Sequence, residues 1–163
     1  MSDPAVPTRD KQAALVIGGV NIDIYGRADT ALSEQENMAD SHPDIIATYA
    51  GGVARNIAEN LGRLGLNVAF IGCFGTDDFT GFLKTSLTDA DVDISLCATT
   101  KGSNDSYLSL FDGDGSLISA VNQMQRVTEI TPSYLEQHQK EIEGTQTLIL
   151  DGNLSEATIS YLV

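Results

Sequence analysis

The chain has 163 residues, 42% of them hydrophobic, enough for one domain with its own core and too apolar for a disordered polymer. Its 23 Asp and Glu against 9 Lys and Arg give a formal charge of -14, which excludes a protein that grips nucleic acid or an anionic membrane over a broad surface. One anionic ligand held locally by backbone amides stays compatible with that balance.

Residues 1–11 are polar, contain Pro4 and Pro7 and lack the apolar core of a signal peptide, so they read as a loose tail before a domain over 12–163. No apolar run is long enough to span a bilayer as a helix. Cys73 and Cys97 have no metal-like spacing, and nothing demands an oxidising compartment, so the cytoplasm is the expected location.

Ala13–Ile17 is a continuous apolar run ended by Gly18-Gly19 and predicts a buried strand of a parallel sheet. Ile22 and Ile24 alternate with Asn21 and Asp23, so an extended chain continues where a dinucleotide-binding turn would enter a helix. Asn21 and Asp23 share one side of such a segment. They suit either the hydroxyls of a sugar or a turn held by their own side chains. Residues 27–43 read mostly as loop, and 44–50 as a second extended segment.

Gly51-Gly52 feeds a helix running to Leu64, with Ile57, Leu61 and Leu64 as one apolar stripe and Gly65 as its stop. The helix N-terminus offers unpartnered amides to an anion or hydroxyl; equally, the glycines serve a tight loop before a packed helix. Asn67–Cys73 predicts another buried strand, completing a right-handed βαβ unit. Thr76 or Asp77 is the expected cap of a helix that buries Phe79, Phe82, Leu83 and Leu87.

Val92–Cys97 reads as a short strand. Ser106–Phe111 and Ser116–Val121 around Asp112-Gly113-Asp114-Gly115 give the strongest hairpin signal, and the two aspartates read as turn chemistry because the other ligands of a calcium loop are missing. Thr131-Pro132 opens a helix with Tyr134, Leu135, His138 and Ile142 inward. Thr147–Leu150 predicts a third buried strand ending at Asp151-Gly152-Asn153, and Ser155 caps a last helix. With three firm parallel-type strands and no closing signal after Val163, the expectation is the front part of a larger α/β domain. His42 and His138 stand in no hydrolase or zinc pattern, and there is no P-loop.

Gly18-Gly19-Val20-Asn21-Ile22-Asp23, the block Gly51 to Gly65 and the run Ile71 to Gly81 together resemble the N-terminal half of ribokinase-type (PfkB) carbohydrate kinases. Within that family Gly-Gly-Val-Ala-Arg-Asn and Asp151-Gly152-Asn153-Leu154-Ser155 are most similar to pseudouridine kinases. The resemblance implies a three-layer α/β/α sandwich, here partial, with a small β-sheet lid built from segments 22–50 and 92–124. It implies transfer of the ATP γ-phosphate to a sugar hydroxyl, with ATP and Mg expected for a full-length member. Asp23 resembles the carboxylate that binds sugar hydroxyls, supported by Asn21. Gly51 and Gly52 resemble the backbone pair that approaches the sugar, Asn56 the amide that holds it, and Asn153 a further sugar contact. Two lids pair in many relatives, which implies a homodimer through an edge strand here.

The departures carry equal weight. Val53 stands where ribokinases proper have Lys after the glycine pair, which disfavours plain ribose and suits a nucleoside. The Gly-Ala-Gly-Asp run that brings the catalytic aspartate, the anion hole and much of the ATP site is absent from the sequence. The expectation is therefore a substrate-binding half, inactive alone, with ATP not held well by this chain; the alternative is a non-catalytic sugar-binding or dimerising module.

Overall fold

The computed structural model describes residues 12–28 and 44–163. The tail 1–11, most of the loop expected over 27–43, and His42 lie outside the described residues. The central strand is β1 (Ala14–Ile17), every residue of which is buried. It is flanked in parallel by β4 (Val68–Ile71) and β9 (Thr147–Leu150), giving the order β4-β1-β9. Side chains alternate across a strand, so the sheet feeds two cores. Val16, Val68 and Phe70 pack on one side with Ala54, Ala58, Leu83 and Leu87. Leu15, Ile17, Ala69 and Ile71 pack on the other with Ile130, Leu135 and Leu154. Three layers result: α1 (Val53–Arg63) and α2 (Thr80–Thr88) on one face, and α3 (Pro132–Leu135), α4 (Gln139–Gly144) and α5 (Glu156–Leu162) on the other.

A second sheet stands apart from this sandwich. Its order is β3-β2-β7-β8, from β2 (Asn21–Ala28), β3 (Asp44–Gly51), β7 (Asp105–Phe111) and β8 (Leu117–Gln123). The hairpin is where the sequence puts it. Its turn is closed by Asp112 and Asp114, which accept from the amides of Gly113 and Ser116, so both carboxylates do turn chemistry. Those hydrogen bonds hold the Asp114 carboxyl below its usual range. The first glycine pair leads into β2, an extended strand, as the alternation of Asn21 to Ile24 requires. A minor pairing joins β5 (Cys73–Phe74) to β6 (Ala98–Thr99).

Several local expectations are corrected. Val92–Cys97 is not a strand; it makes a single bridge, Asp93 to Ala69, and pairing resumes only at β6. Phe79 and Phe82 are exposed, and only Leu83 and Leu87 of α2 enter the core. The helix starts at Thr80, because Asp77 first closes a turn by accepting from the Phe79 and Thr80 amides. In α1 the small residues Ala54, Ala58 and Gly62 face the core, Ile57 and Leu61 flank them, and Leu64 is exposed. Gly62 lies so close to the Ala90 carbonyl that only a glycine fits, which lets the helix sit down on the loop before β6. Gly65, at φ 81, ends the helix in a Schellman motif, with Leu66 N–H donating to Leu61 and Gly65 N–H to Gly62. The helix expected after Thr131 is interrupted by a 3-10 turn at Glu136–His138; Leu135 is buried and Tyr134 and Ile142 pack beside it. β9 is only half-buried, since it forms an edge of the described sheet.

Candidate functional site

The two sheets meet where β1 hands over to β2. β2 puts Asn21 and Asp23 on one face, and Asn21 Nδ2 donates to Asp23 Oδ1 at 2.6 Å. This is a strand pair and not the side-chain turn that the local sequence allowed. Across the ladder, Gly51 pairs with Asn21, and a Cβ at Gly51 would fall on the Asp23 carboxylate. Gly52 has φ 103, and a Cβ there would lie 2.5 Å from the Gly19 carbonyl oxygen. Both glycines thus answer to neighbouring protein groups.

The N-terminus of α1 is already occupied. Ala54 N–H donates to Asp151 Oδ2 at 3.3 Å, and Arg55 N–H donates to the Gly19 carbonyl at 3.3 Å. The open anion-binding helix end anticipated from the sequence is filled by the protein's own carboxylate. Asp151, at the end of β9 and 3% exposed, also accepts from Gly19 N–H at 3.1 Å. Its other oxygen accepts from the backbone and side-chain amides of Asn153, both at 2.9 Å. One carboxylate therefore ties together the β1–β2 turn, the start of α1 and the loop after β9.

Around this junction lies a cavity of about 310 Å³. Asn21, Asp23, Gly52, Asn56 and Asn153 line it, so the structure brings these five expected residues together. Gly51 is not part of the lining and stands behind Asp23. Gly19, Val53, Asp105, Tyr107, Met124, Val127 and Asp151 complete the wall. Tyr107 on β7 is the register partner of Asp23 on β2. Asp105 is buried and spoken for: it accepts from the amides of Gln125, Arg126 and Val127, at 2.6, 2.7 and 3.1 Å. Sequence reasoning missed Asp151, Asp105 and Tyr107 as wall residues. Asp151 gave a readable signal, an acidic residue closing an apolar strand before Gly152-Asn153; Asp105 and Tyr107 gave none until the pairing of β2 with β7 was known.

Among the described residues the wall carries carboxylates, amides and one phenol, and no Lys or Arg. Such a lining suits a neutral, hydroxyl-rich molecule: carboxylates accept from hydroxyls, and amides donate to or accept from them. Among the described residues no group of three or more His, Cys, Asp or Glu side chains is placed to hold a metal ion. The thiols are not poised as nucleophiles. Burial pushes Cys97 up to about 12 and raises Cys73 as well.

The sequence pattern of the pfkB family carbohydrate kinases matches residues 11–161. The chain belongs to that family. It is 35% identical over 156 residues to the pseudouridine kinase of Escherichia coli K12, covering 95% of this chain and 49% of that protein. Its fold superposes on a putative sugar kinase from Clostridium perfringens with a TM-score of 0.82 at 24% identity, covering 94% of this chain and 48% of that one. It superposes on Arabidopsis thaliana ribokinase, solved with ribose and ATP, with a TM-score of 0.77 at 16% identity, covering 93% and 50% respectively. The ribokinase-like sandwich with its small second sheet is thereby established. The chain spans about half the length of the curated relatives it matches.

The family uses ATP, and the residues present can be set against that ligand. A triphosphate needs cationic side chains or unpartnered amides. Among the described residues the cavity offers no cation, and the Ala54 and Arg55 amides of α1 are engaged by Asp151 and Gly19. This cavity does not fit ATP.

Proposed function

We propose that this chain is the substrate-binding half of an ATP-dependent sugar or nucleoside kinase, similar to pseudouridine kinases. The observation that carries the reading is the convergence of Asn21, Asp23, Asn56 and Asn153 on one cavity whose wall has no cation among the described residues. Asp23 accepts from ligand hydroxyls and is oriented by Asn21. Asn56 and Asn153 supply further amides to the same cavity. Val53, half exposed at the cavity, puts an apolar side chain where ribokinases proper carry a lysine, which favours a nucleoside over plain ribose. Tyr107 and Met124 add further apolar surface to the lining.

The second sheet serves as a lid over the bound molecule, and the strands β2, β3, β7 and β8 are its body. ATP and Mg belong to the part of the site that the Gly-Ala-Gly-Asp segment brings, and that run is absent from the 163 residues. The chain alone holds substrate and transfers nothing, since phosphoryl transfer depends on positioning and charge stabilisation of the γ-phosphate. A cytoplasmic location goes with this reading.

Calorimetry with pseudouridine, uridine and ribose tests it. Binding of a nucleoside that is lost in Asp23→Ala supports the reading, and a folded chain that binds none of the three rejects it. Incubation with nucleoside, ATP and Mg²⁺ should give no phosphorylated product; turnover with a contaminant excluded would sink the inactivity.

A second reading, a module that dimerises through its lid, is favoured by exposed apolar side chains on the lid strands. Ile46 on β3 and Val121 on β8 are 77% and 65% exposed, and every residue of β8 is exposed. A second copy is the occupant that the resemblance suggests. Sedimentation should then show a dimer that Val121→Lys dissociates.

A further inference from the structure

We infer that Arg55 is a positioning residue that fixes the orientation of the Asn56 carboxamide, holding its oxygen on the guanidinium and leaving Nδ2 to donate to a ligand. The inference rests on the proposed binding role of the cavity and deepens it. Arg55 lies in the first turn of α1, 5% exposed, among the least accessible charged residues of the chain. Its guanidinium is spent on four groups from three elements. Nε donates to Ser86 Oγ on α2 at 3.2 Å, and Nη1 donates to the Ala50 carbonyl near the end of β3 at 2.9 Å. Nη2 pairs with Glu59 one turn along at 2.5 Å. The remaining contact is with the neighbouring side chain, Nη1 to Asn56 Oδ1 at 2.8 Å.

A guanidinium has donors and no acceptor. The atom of Asn56 that faces it must therefore be the oxygen. With Oδ1 committed to Arg55, the group left for the cavity is Nδ2. Asp23, which lines the same cavity, is an acceptor, already oriented by Asn21. The cavity thus offers an acceptor at Asp23 and a donor at Asn56. A ligand brings a hydroxyl hydrogen to Asp23 and an oxygen lone pair to Asn56: a hydroxyl, ring or carbonyl oxygen. Without Arg55 the carboxamide has two orientations of similar energy, one of which turns an acceptor on that lone pair.

Arg55→Met removes the donors at similar length, and Arg55→Lys keeps the charge beside Glu59 as a second variant should the first fold poorly. The first readout needs no ligand. In the free chain, the side-chain amide of Asn56 should be rigid by nitrogen relaxation, and should gain nanosecond mobility in both variants. An unchanged order parameter in the folded variants overturns the inference. The second readout is a double-mutant cycle on pseudouridine affinity. Arg55→Met should weaken binding about tenfold in the parent chain and hardly at all when Asn56 is already Ala. Equal losses in both backgrounds mean that Arg55 acts by general stability, and the inference falls. If the parent chain binds no pseudouridine, the proposed function fails while the relaxation measurement still decides the role of Arg55.

Discussion

Asp151 and Asp23, two of the three aspartates in the wall of the cavity, should respond to substitution in opposite ways. Asp151 accepts four hydrogen bonds and is 3% exposed. In Asp151→Ala the exposed Asn153 turns its amides to water, but Gly19 N–H and the buried Ala54 N–H lose their acceptor. Each stranded donor costs about 1–3 kcal/mol, so the variant should lose roughly 2–5 kcal/mol. At this chain length that corresponds to a drop in Tm on the order of 10 °C. Asp151→Asn keeps one accepting oxygen but sets an NH2 against donors on its other side, and it removes the negative charge from the α1 N-terminus. Its loss should be about half as large. Asp23 makes its hydrogen bond with the side chain of Asn21 on the same strand, so Asp23→Asn should shift stability by less than ~1 kcal/mol while abolishing nucleoside binding. Urea unfolding of the three variants, with the slope held constant, reads the stabilities directly. A loss below ~1 kcal/mol for Asp151→Ala would refute the keystone role.

Glycine substitutions separate packing from propensity. Gly62→Ala, which in an exposed helix would stabilise by about 1 kcal/mol, should destabilise by about 1–3 kcal/mol, because the new methyl meets the Ala90 carbonyl and lies 2.9 Å from Val92 Cγ2. Gly144→Ala has open space and should be neutral or stabilising; thermal melts of the pair check the sign. Gly51→Ala drives a methyl onto the Asp23 carboxylate, so calorimetry should show at least tenfold weaker nucleoside binding with a much smaller change in Tm. Burial pushes the Cys97 thiol and the Tyr134 phenol up to about 12 and raises Cys73. These folded-state values lie above the unfolded ones. The stability they confer is whole below about pH 8.5 and is lost as pH rises toward 12, at up to ~1.4 kcal/mol per pH unit for the buried Cys97 thiol and at less for the more solvent-screened Tyr134 phenol. Urea midpoints should fall between about pH 8.5 and 10.5, less steeply in Cys97→Ala; a flat profile contradicts the burial argument.

The fold was legible wherever one period governed a segment. Ala14–Ile17 and Val68–Ile71 are apolar throughout because both faces of the sheet are covered, and no helix of that length would bury every side chain. The hairpin around Asp112–Gly115 announced itself by turn chemistry. Helix faces were less legible. Choosing the largest apolar residues pointed to Leu64, Phe79 and Phe82, all of which lie outside, while the close approach of α1 to the sheet selects Ala54, Ala58 and Gly62. Size measures what a residue gains by burial, and it says nothing of how much room a particular interface leaves. Val92–Cys97 failed for another reason: an apolar alternation of six residues is also what a loop needs when it drops Val92 into one core and Leu96 against the other.

The site shows the same division. Asn21, Asp23, Gly52, Asn56 and Asn153 could be named because a local motif carries each, and they meet in one cavity. Asp151 and Arg55 were not named, because their work is done across the chain: Asp151 bonds residues 97 and 132 positions away, and Arg55 reaches Ser86 on another helix. The glycine pair links the two groups. Gly51 gives room to Asp23, and Gly52 gives room to the Gly19 carbonyl that caps α1. Backbones packed this closely use up their own amides and carbonyls on one another. What remains for the cavity is side-chain ends, each already held by a partner: Asp23 by Asn21, Asn56 by Arg55, Asn153 by Asp151. A ligand entering such a wall has little to reorganise, which lowers the cost of ordering the site on binding.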